Sequence, residues 1–442
     1  MAIPSITTNI QQGGLNAIAP PNVLLGTAFI FSIPFSATAT EDSIEPFSFN
    51  NLASFQEALT DKNAVAPVNG VNDADVQHAI DTITDFFALL GDGIQCYGLF
   101  VNSTALVSSA GNRDVNPGTF ATVFSTATDS PASQLIAMGL GNIYSLVVSM
   151  ADYTWASNMS TIVPAGTNDD FSGNIISGLT NMATFANSHE ATGTSFMTYV
   201  AGNRLKGEIP TIVGRASPKN DNLRRISVYI GATKEYPTGN SSNPMRANRA
   251  AIGQFVGNVL LRDVHRQVGA VSYGPFSTGK AYITSGEDAG TPMVQLYIES
   301  LSNRWIVPIR YLGYSGYFYS IPETLGTATS DFRQIPEVRV IDKYVRVIRA
   351  ILFQQLGNNV PLVQGRISQE FINNTRGRVI ANVTQAAANA ELAEISSFSI
   401  TIASDQNILA TQRMDVSVGI TPQGRTNQIT LNLGFQVPVN AS

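Results

Sequence analysis

From Ile429 to Val437 the chain alternates without a break. Ile429, Leu431, Leu433, Phe435 and Val437 are apolar, and Thr430, Asn432, Gly434 and Gln436 lie between them. Successive side chains on a strand point to opposite faces, so this period of two predicts a half-buried β-strand. A lone strand leaves its backbone N–H and C=O groups without partners beneath an apolar face, which is costly. The segment therefore has to join a sheet. That sheet is either its own subunit's or a neighbour's, and the sequence leaves both open. In the second case, strand addition, backbone bonds give affinity and alternate side chains give register.

A chain of 442 residues, 44% hydrophobic, has room for two or three domains and a large core. Only 13% of it is charged, about half of the ~25% usual in soluble domains. Much surface is then expected to lie in contacts or to carry neutral polar residues. No run approaches the ~20 apolar residues of a membrane-spanning helix, so no direct membrane insertion is expected. Val23 to Phe35 is broken by Pro34 and has no basic residue before it, unlike a signal peptide. The single cysteine, Cys96, rules out an internal disulfide. With His78, His189 and His265 far apart, no metal site is expected. His78 falls in a helical pattern and reads as a helix-surface residue.

The net charge of −6 hides a division. Residues 1–200 hold two basic residues, Lys62 and Arg113, against sixteen acidic ones, leaving 24 basic and 16 acidic residues in 201–442. Halves of opposite sign can attract each other between copies or face different partners. A folded monomer that mixes them at its surface is the plainer alternative.

Residues 1–22 read as an arm, with Gly13-Gly14 in the middle and Pro20-Pro21 at the exit. Val23 to Ile33 is an apolar strand. Asn50 or Asn51 can cap a helix over Leu52, Phe55 and Leu59, and Asp75 another over Val76 to Leu90, with Gly91 as its stop. Further strands are expected at Cys96 to Val101, Tyr144 to Met150, Ile209 to Val213 and Arg225 to Ile230. Ser130-Pro131 opens a short helix, Met245 to Arg262 reads as another, and Met293 to Ile298 with Trp305 to Tyr311 as a hairpin. Such alternation predicts an α/β (α+β) fold. Ile341, Tyr344, Val345, Ile348, Leu352 and Leu356 line one face of the clearest helix, Val338 to Leu356, with Asp342, Lys343, Arg346 and Arg349 on the other. Ser368 can cap a helix reaching Leu392. Strands over Phe398 to Ile402 and Met414 to Ile420, a turn at Pro422, and the terminal strand complete an antiparallel meander.

No catalytic constellation emerges. Gly274 to Lys280 has phosphate-loop spacing, but Ala281 stands where a magnesium-binding hydroxyl is needed, and strand rather than helix is expected to follow. No cofactor is expected. The stretch 333–378 holds eight basic residues (Arg333, Arg339, Lys343, Arg346, Arg349, Arg366, Arg376 and Arg378) and three acidic ones. It lacks the interleaved aromatics of a nucleic-acid groove, so an acidic protein surface is the more natural partner and no nucleic acid is expected. A solvated helix face is the bland alternative.

Two ends of the chain resemble contractile tail sheath proteins, the family found in phage tails and contractile injection particles. The resemblance rests on Pro21 to Ala28 with Phe49 to Leu59, and on Phe86-Phe87, Gly91, Gly93 and Cys96-Tyr97. Near the far end it rests on Asn373 to Thr375, Asp405, Arg413 to Ile420, Pro422 and Ile429 to Val437. It implies a sheath domain built from both chain ends, 23–110 and 291–426, with an outward-facing insertion at 111–290. Arms at 1–22 and 427–442 would donate strands to neighbours. It further implies a structural subunit, not an enzyme, that polymerises around an inner tube protein and contracts to drive it through an envelope. Baseplate and terminator or cap proteins would be further partners, in a virion tail or injection particle assembled in the host or producer cytoplasm. On this reading the strand carrying Ile429, Leu431, Leu433, Phe435 and Val437 links subunits, and Arg366, Arg376 and Arg378 face the tube. Another self-assembling shell, tube or capsid protein, or an α/β nucleotide-binding enzyme, remains the alternative.

Overall fold

A computed structural model describes residues 26–33, 45–61, 74–102, 107–109, 112–115, 117–149, 173–202, 220–233, 250–276, 281, 305–311, 313–388 and 394–425. The terminal strand, the arm at 1–22, Ile209 to Val213 and Met293 to Ile298 lie outside these residues.

Three largely buried runs with apolar centres set the middle of the sheet: β1 (Thr27–Ile33), β3 (Cys96–Asn102) and β6 (Ser145–Ser149). With β2 (Phe47–Phe49), β7 (Met197–Gly202), β8 (Ile226–Ile230) and β9 (Trp305–Ile306) they form a seven-stranded sheet in the order β2-β3-β1-β6-β7-β8-β9. All neighbours are parallel except β2 against β3. A parallel sheet needs crossover helices, which explains why its strands are buried along their length and do not alternate. Those helices are α1 (Leu52–Asp61), α2 (Ala74–Leu90), α3 (Pro117–Val123), α4 (Pro131–Met138), α5 (Gly173–Thr192) and α6 (Ile252–Leu261). Two of the caps read from the sequence are in place: Asn51 Oδ1 accepts from the Ser54 amide at 2.8 Å, and Ser130 Oγ from the Ser133 amide. Asp75 is not a cap, because α2 already begins at Ala74. A short hairpin, β4 (Val107–Ser109) with β5 (Asn112–Val115), stands outside the main sheet.

Register places Phe29, Val147, Tyr199 and Tyr229 on one face. Phe29 meets Phe86 of α2 edge-on at 5.2 Å, and Tyr229 stacks on Phe255 of α6 at 4.8 Å. The two helices touch backbone to backbone at Gly253, where a Cβ would fall 1.9 Å from the Thr82 carbonyl oxygen. Gly253→Ala must push α6 off α2, and overpacking of this kind costs about 1–3 kcal/mol. Thermal unfolding of the variant should show that loss; an unchanged midpoint would contradict the close approach.

A second unit begins where the first core ends. It consists of α7 (Ile335–Phe353), α8 (Gln369–Ala388), β14 (Ile395–Thr401), β15 (Ser417–Pro422), a small hairpin of β12 (Leu362–Val363) with β13 (Arg366–Ile367), and the single turn α9 (Ile408–Thr411). Its core holds Val340, Tyr344, Ile348, Val379, Val383 and Ile400, and a satellite holds Ile367, Ile372 and Ile402.

Two further expectations, on the helix after Met245 and on His78, are corrected. The helix expected from Met245 begins at Ile252, because the Ala251 amide is drawn to the Gly231 carbonyl past the end of β8 and the Ile252 amide turns back to the Ala250 carbonyl. Trp305 and Ile306 pair with β8 in parallel, and among the described residues β10 (Pro308–Ile309) pairs antiparallel with β11 (Phe318–Tyr319); the partner expected for Trp305 to Tyr311, Met293 to Ile298, lies outside them. His78 is not at the surface: it is buried, with Nε2 2.8 Å from Ser149 Oγ at the end of β6. Periodicity places a side chain on a helix face without saying which element covers that face.

Candidate assembly surface

The helix α7 begins at a reciprocal cap, in which the Gln334 amide donates to Glu337 Oε2 at 3.0 Å. Its apolar face, with Val340, Tyr344 and Ile348, belongs to the second core. Its charged face, read as solvated or as part of a basic strip, lies instead against the first unit. Asp342 accepts two bonds from Arg225, at 2.9 Å each, and Arg225 is 1% exposed. Arg225 Nε also reaches Glu190 at 2.9 Å. Burial pulls the Arg225 pKa down, but Asp342 and Glu190 outweigh it and hold it above its usual value.

Three other cations of α7, Arg339, Arg346 and Arg349, turn inward for a shared reason. Parallel strands begin after loops whose carbonyls point out of the sheet's N-terminal edge, and helices end on open carbonyls. Arg346 donates to the carbonyls of Gly141, Ile143 and Ser195, just before β6 and β7, with its guanidinium 3.9 Å above the Tyr144 ring. Arg349 reaches the Gly193 carbonyl at 3.2 Å, and burial with the neighbouring Arg346 lowers its pKa to about 10. Arg339 donates to Val259 and Arg262 at the end of α6, the negative pole of that helix. Lys343 is buried with Glu394, 2.7 Å from both carboxylate oxygens, and Tyr344 donates to the same carboxylate at 2.8 Å. The expected basic strip is therefore divided. Arg339, Arg346 and Arg349 seal the seam between the two units, Lys343 is buried inside the second, and Arg333 pairs with Glu323 at 2.7 Å.

Beside this seam, burial against Phe185 and Phe196 lowers the His189 pKa to about 4, with Nδ1 2.8 Å from Thr194 Oγ1. The unfolded imidazole binds its proton near pH 6.5, so between there and pH 4 the unfolded chain holds more protons. Stability from this group is complete above about pH 6.5 and falls as the pH drops toward 4. An NMR titration should find His189 neutral at pH 5.5; a midpoint near 6.5 would contradict its burial.

Arg366, Arg376 and Arg378 remain exposed. Arg366 closes the β12–β13 hairpin, whose turn residues Gln364 and Gly365 both have positive φ, at 52° and 75°. Arg376 and Arg378 stand on α8, whose buried stripe is Ile372, Thr375, Val379, Val383 and Ala386. Arg376, Gly377, Ile380, Ala381 and Thr384 are among its exposed residues, and Arg378, also exposed, donates to Gln354 Oε1 at 2.7 Å. Next to α8, β14 and β15 form a two-stranded ladder from Ile395–Pro422 to Thr401–Ser417. Among the described residues each strand pairs only with the other, so each has an edge with no described partner. Open edges of this kind are templates for strand addition. Past β15, Arg425 returns to the body, reaching Glu337 at 3.2 Å and the His265 carbonyl at 3.1 Å.

Of the phosphate-loop near-match, residues 274–276 and 281 are described and 277–280 lie outside the described residues. Gly274 follows a 3-10 turn, and Phe276 is buried in a bridge to Tyr317. Among the described residues no group of three potential metal ligands comes together, and no helix is long and apolar enough to cross a membrane.

The whole architecture has counterparts among solved assemblies. A chain of the six-fold symmetrised baseplate of the anti-feeding prophage superposes with a TM-score of 0.56 at 12% identity, over 99% of this chain and 100% of that one. The contracted helical sheath of the same particle gives 0.55 at 12% identity, over 98% of each chain. The contracted sheath complex of the PVC extracellular contractile injection system gives 0.51 at 13%, over 99% of this chain and 97% of that one. The fold is that of the contractile sheaths. A family model described as DUF2586, C-terminal domain, matches residues 331–440, and no curated protein matches the sequence. The family match opens at residue 331, just before α7, where the sheath fold passes from its first core to its second.

Glu394, Arg225 and Arg425 were not picked out from the sequence. Glu394 carries one local signal, an acidic residue at the threshold of an alternating strand. The others have none, since Asp342 lies 117 positions from Arg225.

Proposed function

We propose that the chain is a structural subunit of a contractile sheath, polymerising helically around an inner tube and contracting to drive that tube through a target envelope. The observation that carries this reading is the sheath fold over nearly the full chain, together with a two-stranded β14–β15 ladder open at its edges. The segment with Ile429, Leu431, Leu433, Phe435 and Val437 would add to the corresponding edge in a neighbouring copy. Residues 1–22 would lie against another subunit, and 111–290 would hold the outward-facing part. Tube, baseplate and cap proteins are the partners this role requires, in a tail or injection particle. Electron microscopy of purified protein tests the reading: cogwheel-section tubes support it, and closed shells or dispersed monomers reject it.

Arg366, Arg376 and Arg378 are proposed to face the tube. A sheath must hold its tube and then release it, so each contact should be weak and repeated. Exposed ion pairs are worth ~0–1 kcal/mol and are screened by salt. Hydrophobic anchors of ~2 kcal/mol per copy would oppose release, because the penalty multiplies along the polymer. Arg376→Glu with Arg378→Glu should impair co-assembly on the tube and leave monomer melting within about 0.5 kcal/mol, as for other surface changes. Unchanged co-assembly at low salt would reject this assignment and leave the sheath reading intact.

A further inference from the structure

We propose that Arg425 anchors the root of the C-terminal segment to α7, so that pull entering through the segment reaches the helix before it can peel β15 from β14. This rests on the strand-donation reading above. Arg425 follows Pro422, the last residue of β15, by three positions. Its guanidinium reaches Glu337 Oε1 at 3.2 Å, Gln334 Oε1 at 3.4 Å and the His265 carbonyl at 3.1 Å. Its side chain is only 13% exposed, and that of Glu337 is 23% exposed. The acceptor is held ready, because the other oxygen of Glu337 takes the Gln334 amide in the helix cap. A planar guanidinium can serve acceptors on two elements at once, which an ammonium cannot do with the same fixed geometry.

The opposite end of the hairpin is tied to the same helix. Glu394, just before β14, is buried on Lys343 and Tyr344. Entry and exit are thus fastened to Lys343 and Glu337 respectively, six residues apart on α7 or about 9 Å at 1.5 Å per residue. The ladder between them has no such protection from end-on pull, since a strand pulled from its end loses its pairs one after another. With the root fixed at Arg425, the twelve residues to Val437 can reach at most about 40–43 Å. The anchor therefore also limits where a neighbour's ladder can lie.

The full chain carrying Glu337→Gln or Arg425→Lys tests this. Glutamine keeps the helix cap and removes the charge, and lysine keeps the charge and removes the fork. In the monomer, tryptic release of the segment after position 425, followed by mass spectrometry, should rise about fivefold or more, as expected when local opening becomes ~1 kcal/mol easier. Melting of the body should not move. Tubes of either variant should break to shorter lengths than wild type under the same shear. Unchanged cleavage in both variants overturns the anchor. Raised cleavage with wild-type tube lengths after shear overturns its role in passing on pull. Failure of strand donation shows elsewhere, as normal tubes from a chain lacking 427–442, and the tryptic assay does not depend on that result.

Discussion

Replacing Asp342 with alanine is expected to destabilise the subunit by about 3–5 kcal/mol, the penalty for leaving one member of a buried ion pair alone. Arg225 would keep its position at 1% exposure with only Glu190 to face. Against the ~5–15 kcal/mol that holds most domains folded, this is a large fraction. Chemical denaturation should show it, and the two units should come apart first along the α7 seam. The double variant Arg225→Met with Asp342→Leu should regain much of the loss, since it leaves no buried charge without a partner. A loss under 1 kcal/mol in the single variant would mean that water reaches Arg225 and the seam is open.

Deleting residues 427–442 should give folded, soluble subunits that do not polymerise. Pairing about six backbone groups at ~0.5–1.5 kcal/mol each contributes roughly 3–9 kcal/mol per joint. Burying Ile429, Leu431, Leu433, Phe435 and Val437 adds, as an upper bound, ~1.5–3 kcal/mol apiece before ordering is subtracted. A joint of that size can stay closed while weaker contacts slide. Sedimentation and electron microscopy decide the matter. Normal tubes from the shortened chain would reject strand donation, and aggregation of the monomer would mean that the strand completes its own subunit.

These predictions draw on different levels of the molecule. Strand donation is a reading of side-chain alternation over one short segment. The Asp342 prediction depends on a partner that no local pattern indicates. The proposed tube-facing set sits between them: Arg366, Arg376 and Arg378 were singled out by charge, and the structure leaves all three exposed. The same count also included Arg339, Lys343, Arg346 and Arg349, which the fold uses internally.

What the sequence determined by itself was local. Asn51 and Ser130 capped the helices expected of them, the 3.6-residue spacing of Tyr344, Ile348 and Leu352 located the apolar face of α7, and alternation located β14 and β15. These features depend on neighbours within a turn or a strand, which the chain order supplies. Only the tertiary structure decided what covers each face. A polar helix face can meet water or a layer of open carbonyls, and the two look alike in sequence. In α7 the carbonyls come from loops before β6 and β7 and from the end of α6, and Asp342 and Lys343 find partners 117 and 51 positions away. Likewise His78 was covered by β6, and Trp305 joined β8 in parallel. Each outcome was set by which elements the sheet brings together, because desolvated charges and open backbone groups must find partners wherever the chain folds back to supply them.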